Sequence, residues 1–304
     1  MSGWFPCGCA LGMIFLGAPF LQASTAAVPI EIGGGRIEIR FPEDDSDFPR
    51  ALTREWVATA AGAVTKYYGR FPVPHVFVRI RAVEGKRLDS GKTFGTRNGG
   101  VIMVSVGRST TAARFNSDWL MTHEMVHLAF PSVPDEHHWI EEGLATYVEP
   151  IARVRTGNLR AQQVWSDLVR DLPQGLPKPG DRGLDFTHTW GRTYWGGALF
   201  CLLADVEIHR RTANAKGLKE ALRGILEAGG TIYSDWNLDR ALRVGDDATG
   251  VPVLQELYAQ MRSAPHAVDL GQLWLKLGIE RQGATVILHD DAPLAYVRKA
   301  IIPE

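Results

Sequence analysis

The sequence predicts an α+β fold: a mixed sheet and two helices rich in His and Glu in the N-terminal part, followed by a mainly helical lobe. Three observations carry this reading. Runs rich in β-branched residues come first, over 30–39, 75–83 and 101–106. Two helical patterns holding His and Glu at helical spacing follow, within 118–150. Beyond about residue 151, leucines, alanines and aromatics recur mostly with the helical period.

Taken in order, residues 1–27 read as a leader. Positions 4–20 are mostly apolar, and Ala23-Ser24-Thr25-Ala26-Ala27 offers the small residues that signal peptidase prefers. The expectation is export to the periplasm or medium, with a mature chain over 28–304. No Lys or Arg precedes the apolar run, so an uncleaved N-terminal membrane anchor is the alternative. No other stretch is long and apolar enough to span a bilayer. Cys7 and Cys9 fall inside the leader, which leaves Cys201 alone and the mature chain without an intramolecular disulfide. Amid Ala198-Leu199-Phe200 and Leu202-Leu203, Cys201 reads as a core thiol.

The mature length can bury one core, divided by a cleft into a lobe over about 28–150 that holds the sheet and the His- and Glu-bearing helices and a helical lobe over about 151–304. Hydrophobic residues make up 45% of the chain, charged residues 22%, and the net charge is −1, which gives no basic surface for nucleic acid. Alternation at Ile37-Glu38-Ile39-Arg40-Phe41 suits a half-exposed strand, and a helix over 53–68 separates it from the strand 75–83. The turn Asn98-Gly99-Gly100 leads into the strand 101–106. Later helices are expected over 159–171, 193–211, 218–226, 238–244, 253–261 and 270–277, with an exposed Pro- and Gly-rich connection at 172–180 and a strand at 284–289.

Chemistry concentrates at Thr122-His123-Glu124-Met125-Val126-His127. On a helix, residues four apart share a face, so His123 and His127 can direct ring nitrogens at one ion. Glu124 then stands beside the open coordination position as the general base for water activated by the metal; this is the known HExxH logic applied to these residues. Asp118 caps the helix start, and Pro131 follows its end. A catalytic zinc needs a third protein ligand, and Glu142, on a second helix ended by Pro150, is the first candidate, with Glu141 as the fallback. Phe130 and Val133 stand where a metzincin-type third histidine would need glycine and histidine. His137 and His138 read as rim or helix-start residues.

The segment Trp139-Ile140-Glu141-Glu142-Gly143-Leu144-Ala145-Thr146-Tyr147-Val148-Glu149 resembles the WxNEGFAxYxE helix of gluzincin peptidases, notably the aminopeptidase N and glycyl aminopeptidase families. That resemblance implies a thermolysin-like catalytic domain, one Zn²⁺ ion and Glu142 as third ligand. Glu141 replaces the family's asparagine. Thr146, one turn beyond Glu142, is either a group that orients a ligand histidine or a hydroxyl bonded to its own helix. Tyr194-Trp195-Gly196-Gly197-Ala198 resembles the YEKGA segment, which implies that Tyr194 donates to the tetrahedral oxyanion, although Trp195 and Gly196 depart from the pattern. Arg192 reads as a surface residue, with reach into the same cleft as the alternative. In these families an edge strand before the motif binds substrate backbone, which assigns substrate contact to Asn98, Gly99 and Gly100; an ordinary hairpin turn is the other reading. The GxMEN exopeptidase signature is missing, so aminopeptidase specificity does not transfer.

The expected function is therefore a zinc-dependent peptidase acting on a peptide or protein substrate. The alternative is a catalytically inactive gluzincin-fold binding or scaffold protein of the cell envelope.

Overall fold

The structure, a computed structural model, describes residues 28–43 and 45–303. The expected leader and its two cysteines lie outside the described residues. The fold is mixed α/β, with a five-stranded sheet followed mainly by helices.

The chain enters as a hairpin of β1 (Ile30–Ile32) and β2 (Gly35–Arg40), turning at Gly33-Gly34, where the sequence suggests one strand. Helix α1 (Arg50–Tyr68) then buries Trp56, Val57, Ala60, Ala61, Val64 and Tyr67, the stripe that a 3.6-residue period places on one face. It packs on α3 (Leu120–His127) and α4 (His138–Arg155), the two helices that carry the metal motif. Strand β3 (His75–Val83) runs parallel to β2, and β5 (Gly99–Gly107) runs parallel to β3. Between them in sequence, β4 (Leu88–Thr96) pairs antiparallel with β5 and takes the outer edge, giving the order β1-β2-β3-β5-β4.

A short helix, α2 (Ala112–Asn116), returns the chain to α3, whose first turn is capped by Asp118 Oδ2 accepting from Leu120 N at 2.9 Å. Pro150 does not end the second metal-site helix. α4 runs through it to Arg155, because the last turn buries Ile151 and Ala152 and is tied by an Arg153–Glu149 ion pair at 2.8 Å. These offset the roughly 3 kcal/mol that an interior proline costs.

Beyond lie α5 (Ala161–Asp171), a π-helical segment Gly191–Gly196 continuing into α6 (Gly197–Arg211), α7 (Leu218–Glu227), α8 (Leu238–Thr249), α9 (Val253–Met261) and α10 (Leu270–Leu277). A small hairpin, β6 (Ile279–Gln282) and β7 (Thr285–Leu288), and α11 (Ala295–Ile301) close the chain. One buried hydrophobic cluster runs from the sheet through α4 and α6 into the later helices, and Cys201 lies fully buried within it. Among the described residues, no helix is long and apolar enough to cross a membrane.

Candidate active site

Helices α3 and α4 cross so that one nitrogen from each motif histidine and one Glu142 carboxylate oxygen lie within 4.8 Å of one another. His123 Nε2 is 3.1 Å and His127 Nε2 3.7 Å from Glu142 Oε2. Zinc bonds of about 2.0–2.2 Å at tetrahedral angles separate neighbouring ligand atoms by roughly 3.3–3.6 Å, and the two spacings to Glu142 lie close to that range. The charge states fit too. Burial and the neighbouring His123 push His127 down to about 3, which keeps the neutral imidazole that ligates a metal. Burial opposes ionisation of Glu142, yet hydrogen bonds with His123 and His138 outweigh it and hold the carboxyl far below the usual range.

Glutamate 141 does not join this cluster. Its Oε1 accepts from Val133 N at 3.3 Å and its Oε2 lies 3.0 Å from His138 Nδ1. His138 opens α4 and has its other nitrogen 3.3 Å from Glu142 Oε1, so it braces the carboxylate through the oxygen that does not face the histidine pair. His137 turns away to Asp185, which also accepts from Trp139 Nε1 and Tyr258 OH, both at 2.8 Å. His138 finds its partners three and four residues on in its own helix, whereas Asp185, the partner of His137, comes from a distant segment.

Glu124 is buried against β4. Thr93 Oγ1 lies 2.6 Å from Glu124 Oε2 and 2.9 Å from the Glu124 carbonyl oxygen. Burial raises the Glu124 pKa and the Thr93 hydrogen bond opposes the rise, which sets a carboxylate able to take and return a proton. Gly91, beside a register shift between Asp89 and Lys92, backs directly onto Glu124 Oε1; a Cβ there would overlap the carboxylate. Sequence reading missed both residues, because Leu88–Thr96 has two glycines and scattered polar residues and gives no strand signal.

Tyr194 approaches on the π-helical segment, its ring 6.4 Å from that of His123. Burial and the Glu142 charge raise its phenol to about 12, so it stays a neutral donor. Two contacts fix this segment. Gly143, next to Glu142, and Gly197, three residues after Tyr194, meet backbone to backbone, with no room for a Cβ on either. Arg192 is buried and not on the surface: its Nε pairs with Asp181 at 2.8 Å and its Nη1 donates to the Gly175 carbonyl. Burial lowers the Arg192 pKa while Asp181 opposes that.

Thr146 lies in the wall of a cavity beside His123, with Glu149 one turn further and close enough to His123 to feel its charge. Asn98, Gly99 and Gly100 are not brought to this site. Asn98 lies in the β4–β5 turn and Gly99 and Gly100 open β5, which is hydrogen-bonded on both sides, by β3 and β4, and so has no edge to offer a substrate. Among the described residues, the strand that faces the cleft without a partner on its outer edge is β4, whose residues 91–95 line the chamber holding Glu124, His127 and Glu142.

No protein-family model and no curated protein matches this chain. Solved structures do. An aminopeptidase N family protein from Idiomarina loihiensis matches with a TM-score of 0.58 at 12% identity over 83% of this chain and 49% of its own. A mutant M1 zinc metallopeptidase from Deinococcus radiodurans matches at 0.50 and 16%, over 81% and 53%. The same mutant bound to a Tyr-Ser-Ala substrate matches at 0.50 and 15%, over 81% and 52%. The chain spans about half the length of these structures. Over that half, its fold is similar to that of M1 zinc metallopeptidases of the aminopeptidase N family.

Proposed function

We propose that the chain is a zinc-dependent peptidase with a thermolysin-like catalytic arrangement, hydrolysing peptide bonds in a peptide or protein substrate. The convergence of His123, His127 and Glu142 on one point, with Glu124 and Tyr194 beside it, supports this reading above all else. These three residues would hold the ion, which when bound supplies Lewis acidity and lowers the pKa of water. Glu124 takes the proton of the attacking water and returns it to the leaving amine. Tyr194 donates its phenolic hydrogen to the oxyanion that develops on the scissile carbonyl. The free edge of β4 aligns the extended substrate backbone, the part the sequence assigned to Asn98–Gly100. The leader-like start supports action after export.

The test is hydrolysis of a peptide library by purified protein. Glu124→Gln should abolish turnover while the protein still binds one zinc, and chelation of the wild type should abolish turnover until zinc is restored. Unchanged turnover in Glu124→Gln, or no zinc bound by the wild type, overturns the reading.

A further inference from the structure

One face of the five-stranded sheet buries Ile102 and Val104 in the core, and the other leaves Met103 exposed. That outer face carries a row of cations. Register places Arg40 beside Arg79, Arg79 beside Met103 and Met103 beside Lys92. Arg40, Arg79 and Lys92 are exposed, as is Arg81 two positions further along β3.

Among the described residues, none of these four cations is paired with a carboxylate. Arg40 lies over the Phe77 ring at 5.1 Å, and Arg81 donates to Ser105 Oγ at 2.8 and 3.0 Å. Asp89, across Ser105 from Arg81 in the register, is held by Arg87 at 2.9 Å. Like charges side by side weaken a sheet, so folding alone does not favour this row, and an anion would relieve it.

Arg79, Arg81 and Lys92 line a recess of about 430 Å³ at the irregular Ser90–Gly91 segment of β4, with no carboxylate in its wall. Gly91 and Lys92 also line the catalytic chamber, so β4 is a partition between the two. The chamber side holds Glu124, Glu141, Glu142 and Asp235. A peptide added along β4 sends alternate side chains to the two faces of the sheet. An acidic side chain is repelled on the inner face and matched on the outer one. A bilayer surface is too broad to enter such a recess.

We infer that this recess is an anion-recognising subsite of the peptidase, taking Asp or Glu side chains from an acidic stretch of a protein substrate laid along β4. This rests on the peptidase reading, and the test separates the two. Blocked peptides share an uncharged core and differ in a run of Glu, Gln or Lys, placed on the amino side of the core in one set and on the carboxyl side in another. They are titrated calorimetrically into Glu124→Gln protein and digested by the wild type. In one of the sets the Glu peptide should bind and be cleaved about five- to tenfold better than the Gln peptide, the scale of two or three exposed ion pairs. The gap should shrink to under about twofold as salt rises from about 0.05 to 0.5 M. Arg79→Gln with Arg81→Gln should level the preference, and Arg79→Glu with Arg81→Glu should turn it towards the Lys peptide, with circular dichroism showing both variants folded.

Equal affinities for Glu and Gln peptides in both sets, or a Glu preference that neither double variant moves, overturns the subsite. Zinc-dependent cleavage without that preference overturns the subsite and leaves the peptidase reading standing. A Glu preference in binding that the charge reversal removes, with no hydrolysis by the wild type, keeps the acidic-segment site and overturns the peptidase reading. Sedimentation with vesicles of phosphatidylcholine and phosphatidylglycerol in equal parts tests the rival occupant. Vesicle binding that Arg79→Glu with Arg81→Glu abolishes, without any peptide preference, assigns this face to a membrane surface and overturns the subsite.

Discussion

Glu124 and Tyr194 flank the same cluster but are held by different means. Glu124 rests on an edge strand through one hydroxyl, that of Thr93, and a close glycine, with solvent-exposed residues such as Asp235 nearby. Tyr194 is held by a backbone-to-backbone helix contact at Gly143 and Gly197 and by the buried Arg192–Asp181 pair. The contrast predicts rigidity on the oxyanion side and adjustability on the base side. A donor aimed at developing charge gains most from being fixed before the reaction, while a base that takes and returns a proton must move slightly between two oxygen positions.

The largest effect should come from His127→Ala, which removes the floor that both sides share: zinc content by atomic absorption should fall to near zero and turnover to background. Retained activity would break the comparison at its base. Next, Gly143→Ala drives a methyl into the Gly197 backbone, which has no side chain to swing aside. It should cost about 1–3 kcal/mol of stability in denaturant melts and also depress turnover. Tyr194→Phe should lower kcat by about 10²–10³-fold with little change in melting temperature, read by steady-state kinetics and calorimetry. Thr93→Val, on the adjustable side, should be mildest: losing one hydrogen bond of about 1 kcal/mol lowers kcat by less than about tenfold with zinc retained. If Thr93→Val proves more damaging than Tyr194→Phe, the assignment of rigid and adjustable sides is reversed.

The parts legible in the sequence were those written in local periodicity. Strand β3 and helices α9 and α10 occupy the expected ranges, since β-branched runs and leucine spacing mark them directly. The His123, His127 and Glu142 positions follow from helical spacing and from a resemblance at Glu142, and α3 and α4 bring them together. What stayed hidden depends on contacts distant in sequence. β4 is a strand because β5 offers it an edge, not because of its residues, Leu88-Asp89-Ser90-Gly91-Lys92. The π-helical start before α6 is shaped by Gly175 lying against the Trp195 backbone, a contact no window of sequence contains. Arg192 looked exposed because its partner, Asp181, sits in an irregular loop with no periodic relation to it. Strand β6, Ile279–Gln282, is three-quarters exposed and gave no pattern to find.

An open sheet margin is also an invitation to other copies of the chain. In β4 the shift between Asp89 and Lys92, with Ser90 at φ 57°, breaks the straight run of amide groups that a long neighbouring strand would need. A short extended peptide can still lie along the few residues beyond the shift, where the chamber is. The irregularity that brings Gly91 against Glu124 thus doubles as protection from fibril-like stacking, and straightening it would be expected to raise self-association at high protein concentration.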